Sequence, residues 1–279
     1  MSKNNTNKRL FLIAAILTIT FAGLEIVYGI ISGSLMIIGD GVHMSSDAIS
    51  LFLSLIAAVL ASKPITSKKT FGFKRFEPIA AFINGITLIL LPMYIIYEAI
   101  TRFIHPVDIV PKQMIIVGII GLFVNMLVGF ILSKGNQNLN MRSASLHVFA
   151  DMITSLSAII VGFAILYFNL TFLDPIGSII TSFIIIRGGI KITKEAFNIL
   201  MEGTPEGYST NDLSQSIEGL LVNGVIEDIK IWCINEEDVY ALIKIQTEEE
   251  ISIQKLKNTI SKENNIPINH IFIDTTMKV

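Results

Sequence analysis

Two of the chain's four histidines stand four residues ahead of an aspartate, His43 before Asp47 and His147 before Asp151, and both pairs fall in apolar surroundings. On a helix, a spacing of four puts two side chains on one face, one turn apart. An ionisable group at membrane depth costs about 3 kcal/mol on insertion scales, so such pairs are retained for a purpose. Two helices facing each other would bring together two imidazoles and two carboxylates, a tetrahedral N/O set that suits zinc. The plain alternative is a local hydrogen bond that holds each helix in place. One pair would fit that description; the same frame occurring twice weighs against it.

Other polar residues inside apolar stretches carry weaker signals. Asp40 precedes His43 by three positions and shares its stripe, where it could relay protons or orient the imidazole. Glu25 and Asn125 could bond to backbone or a neighbouring helix, or belong to the surroundings of a metal site or a proton path. His105, beside Pro106, reads as a solvated turn residue. A metal site needs neutral imidazole and ionised carboxylate, so binding zinc releases whatever protons the ligands held. A site that opened alternately to each side would then exchange zinc for protons. No Gly-rich phosphate loop is visible, so neither ATP nor an organic cofactor is expected, and nothing points to nucleic acid.

These residues have to be positioned by membrane helices. Over 279 residues the chain is 52% apolar and only 16% charged, with a mean hydropathy of +0.65, where a soluble domain carries about 25% charge. Six apolar stretches, near 10–31, 35–60, 79–103, 114–132, 144–170 and 176–192, approach or exceed the roughly 20 residues that span hydrocarbon. The first follows Lys3, Lys8 and Arg9 but is too long for a signal peptide and lacks a small-residue cleavage site. Basic residues fix the orientation. Lys63, Lys68, Lys69, Lys74 and Arg75 crowd the second loop, Lys134 and Arg142 the fourth, and Arg187, Lys191 and Lys194 the end of the sixth stretch. Both termini are therefore expected in the cytoplasm, with the protein in the plasma membrane. His43 would lie about 12 Å into its span, and His147 nearer the cytoplasmic start of its own.

Residues 205–279 are a different material. They hold 13 acidic and six basic residues, a net of −7, against +5 for residues 1–204. A helix is expected over 212–221, apolar-alternating strands over 226–234 and 239–246 joined by Asn235-Glu-Glu-Asp238, a helix over 252–263 and a last strand over 268–273. The fold class is thus a membrane α-helical bundle of six transmembrane helices, residues 1–204, with a small α+β cytoplasmic domain of αββαβ order, residues 205–279. At about 75 residues that domain is marginal alone, so a homodimer would help its core. The single Cys233 falls in a strand and reads as a small buried residue.

The chain resembles the cation diffusion facilitators, in their bacterial zinc/cadmium/cobalt efflux branch, over nearly its full length. The matching stretches are Gly33-Ser-Leu-Met-Ile-Ile-Gly-Asp40-Gly-Val-His43-Met-Ser-Ser-Asp47, Phe71-Gly-Phe-Lys-Arg-Phe-Glu77, Tyr97-Glu-Ala, His147-Val-Phe-Ala-Asp151 and Leu200-Met-Glu-Gly-Thr-Pro205. The resemblance implies a six-helix homodimer that exports divalent metal in exchange for protons, with a metallochaperone-like cytoplasmic domain. It places the transport site at His43, Asp47, His147 and Asp151, in the two-His, two-Asp form associated with zinc. Two features depart from the family. The 133–140 loop has no histidine, and where relatives often read Asp-Leu-His-Val-Trp this chain has Asp228-Ile-Lys230-Ile-Trp232. Lysine is a poor zinc ligand, which leaves His270, Asp274 and, more distantly, Cys233 as candidates in the tail. Competing readings are a carrier chiefly for cadmium, cobalt, iron or manganese, a passive channel, a metal sensor, or an intramembrane metalloenzyme. The last would need an open fourth position and, for a protease, His-Glu-x-x-His, which is absent.

Overall fold

The computed structural model describes the backbone of residues 3–61, 66–134, 139–219, 221, 224–235, 238–247, 252–264 and 266–277. Within these, the side chains at 3–11, 47, 50–55, 57–59, 61, 139–147, 268 and 277 lie outside the described residues. The chain forms two compact units, residues 1–52 with 83–191, and residues 53–82 with 192–279.

Six long helices come first: α1 (Lys3–Ser32), α2 (Leu35–Ala61), α3 (Phe76–Ile104), α4 (Pro111–Ser133), α5 (Leu139–Phe168) and α6 (Leu173–Leu200). Hydrocarbon offers backbone N–H and C=O groups no partner, so an apolar stretch of this length must satisfy them within itself. Among the described residues, five helices are long and apolar enough to cross a membrane, and α2, many of whose side chains lie outside them, is not among the five. Their outward faces are oily: Phe123 is 74% exposed and Phe168 73%. Side chains this apolar face lipid rather than water.

Within the first unit, small residues let helices approach. A Cβ on Gly118 would fall 2.8 Å from Ile159 Cγ1, and one on Gly162 2.7 Å from Ile115 Cγ1, so α4 and α5 touch nearly backbone to backbone. Gly41 on α2 packs likewise on α1, where a Cβ would come 2.9 Å from Glu25 Cβ. The α1–α2 corner turns at Gly33, whose φ of +73° suits glycine. A side chain there would also strike the Asp108 carbonyl at 2.7 Å.

The second unit holds the tail. Helix α7 (Thr210–Glu218) begins at Ser209, whose hydroxyl accepts the Asp212 N–H at 3.3 Å, and stops at Gly219, short of the expected 221. Strands β1 (Gly224–Cys233) and β2 (Val239–Thr247) pair antiparallel, with a bulge between Ile226 and Asp228. Helix α8 (Ile253–Asn264) leads to β3 (Ile271–Met277), parallel to β2, so β2 lies centrally. The last strand starts later than 268 because the Pro267 carbonyl accepts the His270 N–H at 2.8 Å and winds Ile268–His270 into a 3-10 turn. Leu213 and Ile217 of α7, Ile243 and Ile245 of β2, and Leu256 and Ile260 of α8 close a core from which water is excluded. Ile243→Ala should destabilise this unit by about 2–5 kcal/mol, since it empties a fully packed site. Denaturant unfolding followed through Trp232, the chain's one tryptophan, measures this; an unchanged midpoint would show that the site is not packed.

The same unit includes the segment before α3. Lys74 Nζ lies 2.6 Å from Asp238 Oδ2, Asn235 Nδ2 donates to Glu77 Oε2 at 3.4 Å, and Phe71 meets Tyr240 edge-on at 6.2 Å. The Asp238 carboxylate, chiefly through its hydrogen bond, raises the Lys74 pKa above that of an ordinary lysine, so the ammonium stays charged across the physiological range. Nearby, Arg75 pairs with Glu202 at 2.6 Å.

Candidate metal centre

In the first unit, α1, α2 and α5 converge on a cavity of about 80 Å³. Its polar lining is Glu25 from α1, Asp40 and His43 from α2, and Asp151, Thr154 and Ser155 from α5, with Thr181 from α6. Glu25 is 3% exposed and Asp151 4%, so both carboxyl groups are sequestered from bulk solvent. Thr154 ties two helices together: its Oγ1 lies 2.9 Å from Asp40 Oδ1 and 2.8 Å from the Asp151 carbonyl. Such a hydroxyl fixes the carboxylate's orientation against α5.

The structure brings His43 and Asp151, members of different sequence pairs, to one cavity. Their partners Asp47 and His147 sit one helical turn away on α2 and α5, with side chains outside the described residues. Of the residues expected around the site, Glu25 and Asp40 line the cavity, whereas Asn125 is buried on α4 and donates to Ser155 Oγ at 3.4 Å, bracing α4 against α5. His105 is exposed, as expected of a turn residue.

In the tail the three candidate ligands have separate surroundings. His270 stacks on Tyr240 with ring centroids 4.1 Å apart, and its Nδ1 lies 3.0 Å from the Val239 carbonyl. Cys233 is buried in the sheet, and Asp274 is exposed on β3. Lys230 points outward beside Asp228 at 3.3 Å. Among the described residues no three or more His, Cys, Asp or Glu side chains are grouped to hold a metal ion; that set excludes the side chains of Asp47 and His147.

Sequence reasoning missed two supports. Thr154 follows Asp151 by three positions, so helical spacing alone would have placed it on the same face. Asp174, at the start of α6, accepts Ser34 Oγ at 2.5 Å, the Leu35 N–H at 2.8 Å and the Met36 N–H at 3.3 Å. It thus caps the N-terminus of α2, the helix carrying His43, and its charge suits the positive end of that helix dipole. Arg102, paired with Glu98 at 3.3 Å, donates to the Gly33 carbonyl of the same corner, and the Val110 N–H donates to the Ser32 carbonyl at 2.8 Å.

A bundle of membrane-length helices with an imidazole and carboxylates around a small interior cavity is the architecture of a cation carrier. Residues 11–201 match the model of the cation efflux transmembrane domain, so the chain belongs to the cation efflux family. It is 40% identical over 263 residues to the "cadmium, cobalt and zinc/H(+)-K(+) antiporter" of Bacillus subtilis, covering 92% of this chain and 83% of that protein. It is 37% identical over 245 residues to the "zinc transporter ZitB" of Pectobacterium atrosepticum, 86% of this chain and 76% of that protein. With the "metal cation efflux system protein CzcD" of Cupriavidus metallidurans it shares 32% over 231 residues, 82% and 72% of the two chains. The chain is a multi-pass membrane transporter of divalent metal, not an enzyme.

Proposed function

We propose that the protein exports zinc from the cytoplasm in exchange for protons, by alternating access at a tetrahedral site made of His43, Asp47, His147 and Asp151. The observation that carries this reading is the meeting of His43 and Asp151, one from each sequence pair, on a single interior cavity. Nitrogen and oxygen donors in equal number suit zinc, and its binding displaces ligand protons, which couples the two fluxes. The names of the relatives support the substrate and the counter-ion, and the Bacillus subtilis name adds potassium as a second counter-ion. Six spans, α2 included, place both termini in the cytoplasm of a plasma-membrane protein, as the basic second and fourth loops require. Residues 1–204 form the transport domain. Residues 205–279 form a metallochaperone-like cytoplasmic domain that pairs two copies into a homodimer.

A second reading keeps the site and changes the cargo to cadmium or cobalt, which imidazole also accepts and which the Bacillus subtilis relative's name includes. Uptake by inside-out vesicles tests both. Zinc should accumulate only when the lumen is acidic, and collapse of the pH gradient should stop it. Accumulation that ignores the gradient would refute the exchange. Preference for cadmium or cobalt over zinc at equal concentration would favour the second reading.

A further inference from the structure

The cavity contains more acid than a four-ligand zinc site uses. Glu25 and Asp40 add two carboxyl groups beside Asp151, and among the described residues the lining has no lysine or arginine to balance them. Glu25 is 3% exposed, lines the cavity, and its Oε2 has no hydrogen-bond partner. A buried carboxylate oxygen left unsatisfied costs free energy unless something enters to meet it. Glu25 and Asp40 lie beside each other, and the Thr154 hydroxyl lies 2.9 Å from Asp40 Oδ1, so these three side chains present a set of oxygen ligands. Oxygen-only sets select hard cations, whereas the imidazole of His43 suits zinc. The volume of about 80 Å³ exceeds the roughly 30 Å³ share of one water, leaving room for a cation that keeps part of its hydration.

We infer that Glu25 and Asp40, with the Thr154 hydroxyl, form a second subsite that takes a hard monovalent counter-cation of potassium type, which leaves when zinc enters. The inference rests on the proposed zinc exchange for its functional meaning, but its binding chemistry stands apart from His43. Magnesium fits the site poorly because it demands near-octahedral geometry and gives up water reluctantly. Potassium tolerates irregular oxygen sets, and the nearness of Asp151 to the subsite makes zinc and the counter-cation mutually exclusive by charge repulsion.

The test is equilibrium binding of radioactive rubidium, a potassium surrogate, to the full-length protein in detergent, beside binding of radioactive zinc. Wild type should bind rubidium saturably, and potassium and zinc should displace it while choline does not. Glu25→Gln and Asp40→Asn should each weaken rubidium binding about tenfold or more, as withdrawal of a ligand charge does, while zinc still binds. His43→Ala should lose zinc binding but keep rubidium, now insensitive to zinc. Absence of saturable, potassium-displaceable rubidium binding in wild type would overturn the inference. So would wild-type rubidium affinity in either carboxylate variant that elutes as folded protein, or stronger displacement by magnesium or manganese than by potassium. Loss of rubidium binding in His43→Ala would overturn the separateness of the two subsites. Undiminished zinc binding in His43→Ala would refute the zinc site and leave the subsite standing.

Discussion

Asp151→Ala is expected to reduce zinc uptake to background while leaving the bundle folded, and His147→Ala to do the same. In the proposed tetrahedral site each change would leave three ligands and an open position, the arrangement of catalytic rather than structural zinc. Removing one partner from a buried charged site costs about 3–5 kcal/mol, which at about 1.4 kcal/mol per tenfold is a loss of 10²- to 10³-fold or more. Asp151 is 4% exposed and lines the cavity, so no solvent ligand substitutes freely for it. Uptake into inside-out vesicles, with size exclusion as the check on folding, measures the effect. Wild-type rates in either folded variant would remove that residue from the site.

Asp174→Ala is expected to lower the thermal stability of the bundle substantially and to impair transport, although Asp174 does not line the cavity. Its carboxylate receives three hydrogen bonds, from Ser34 Oγ and from the Leu35 and Met36 backbones. Alanine leaves these buried donors at the start of α2 unsatisfied, at about 1–3 kcal/mol each. The low end of that sum, about 3 kcal/mol, already corresponds to roughly 6–12 °C in melting temperature for a chain of this size. Asp174→Asn keeps one acceptor oxygen and should fall between the two. Thermal unfolding in detergent reads the loss; equal melting of wild type and Asp174→Ala would show that the cap does not hold α2 in place.

Much of this architecture was legible residue by residue. The helices from α1 to α6 follow from apolar length, because a chain in hydrocarbon has only its own carbonyls to bond to. The strands around Ile226 and Ile243 follow from alternation, because one face of a small sheet must be buried while the other meets water. The ends of elements were less legible. The turn that follows Pro267 delays β3, through a backbone hydrogen bond that apolar pattern does not record. The pairs His43 with Asp47 and His147 with Asp151 were visible because helical spacing is local.

What local spacing could not show is which helix faces which. Glu25 lies beside Asp40 where Gly41 lets α2 pack closely on α1, and Asp174 reaches Leu35 across 139 residues of chain. The sequence alone determined the length of the helices, the spacing of the two His–Asp pairs and the acidic, sheet-forming tail, all of which depend on neighbours within a few residues. Only the tertiary structure decided that His43 and Asp151 share one cavity, that Glu25 and Asp40 crowd acid into it, and that Asp174 caps α2. Those outcomes depend on side-chain packing between helices distant in sequence, where a glycine in place of a larger residue sets how close two backbones come.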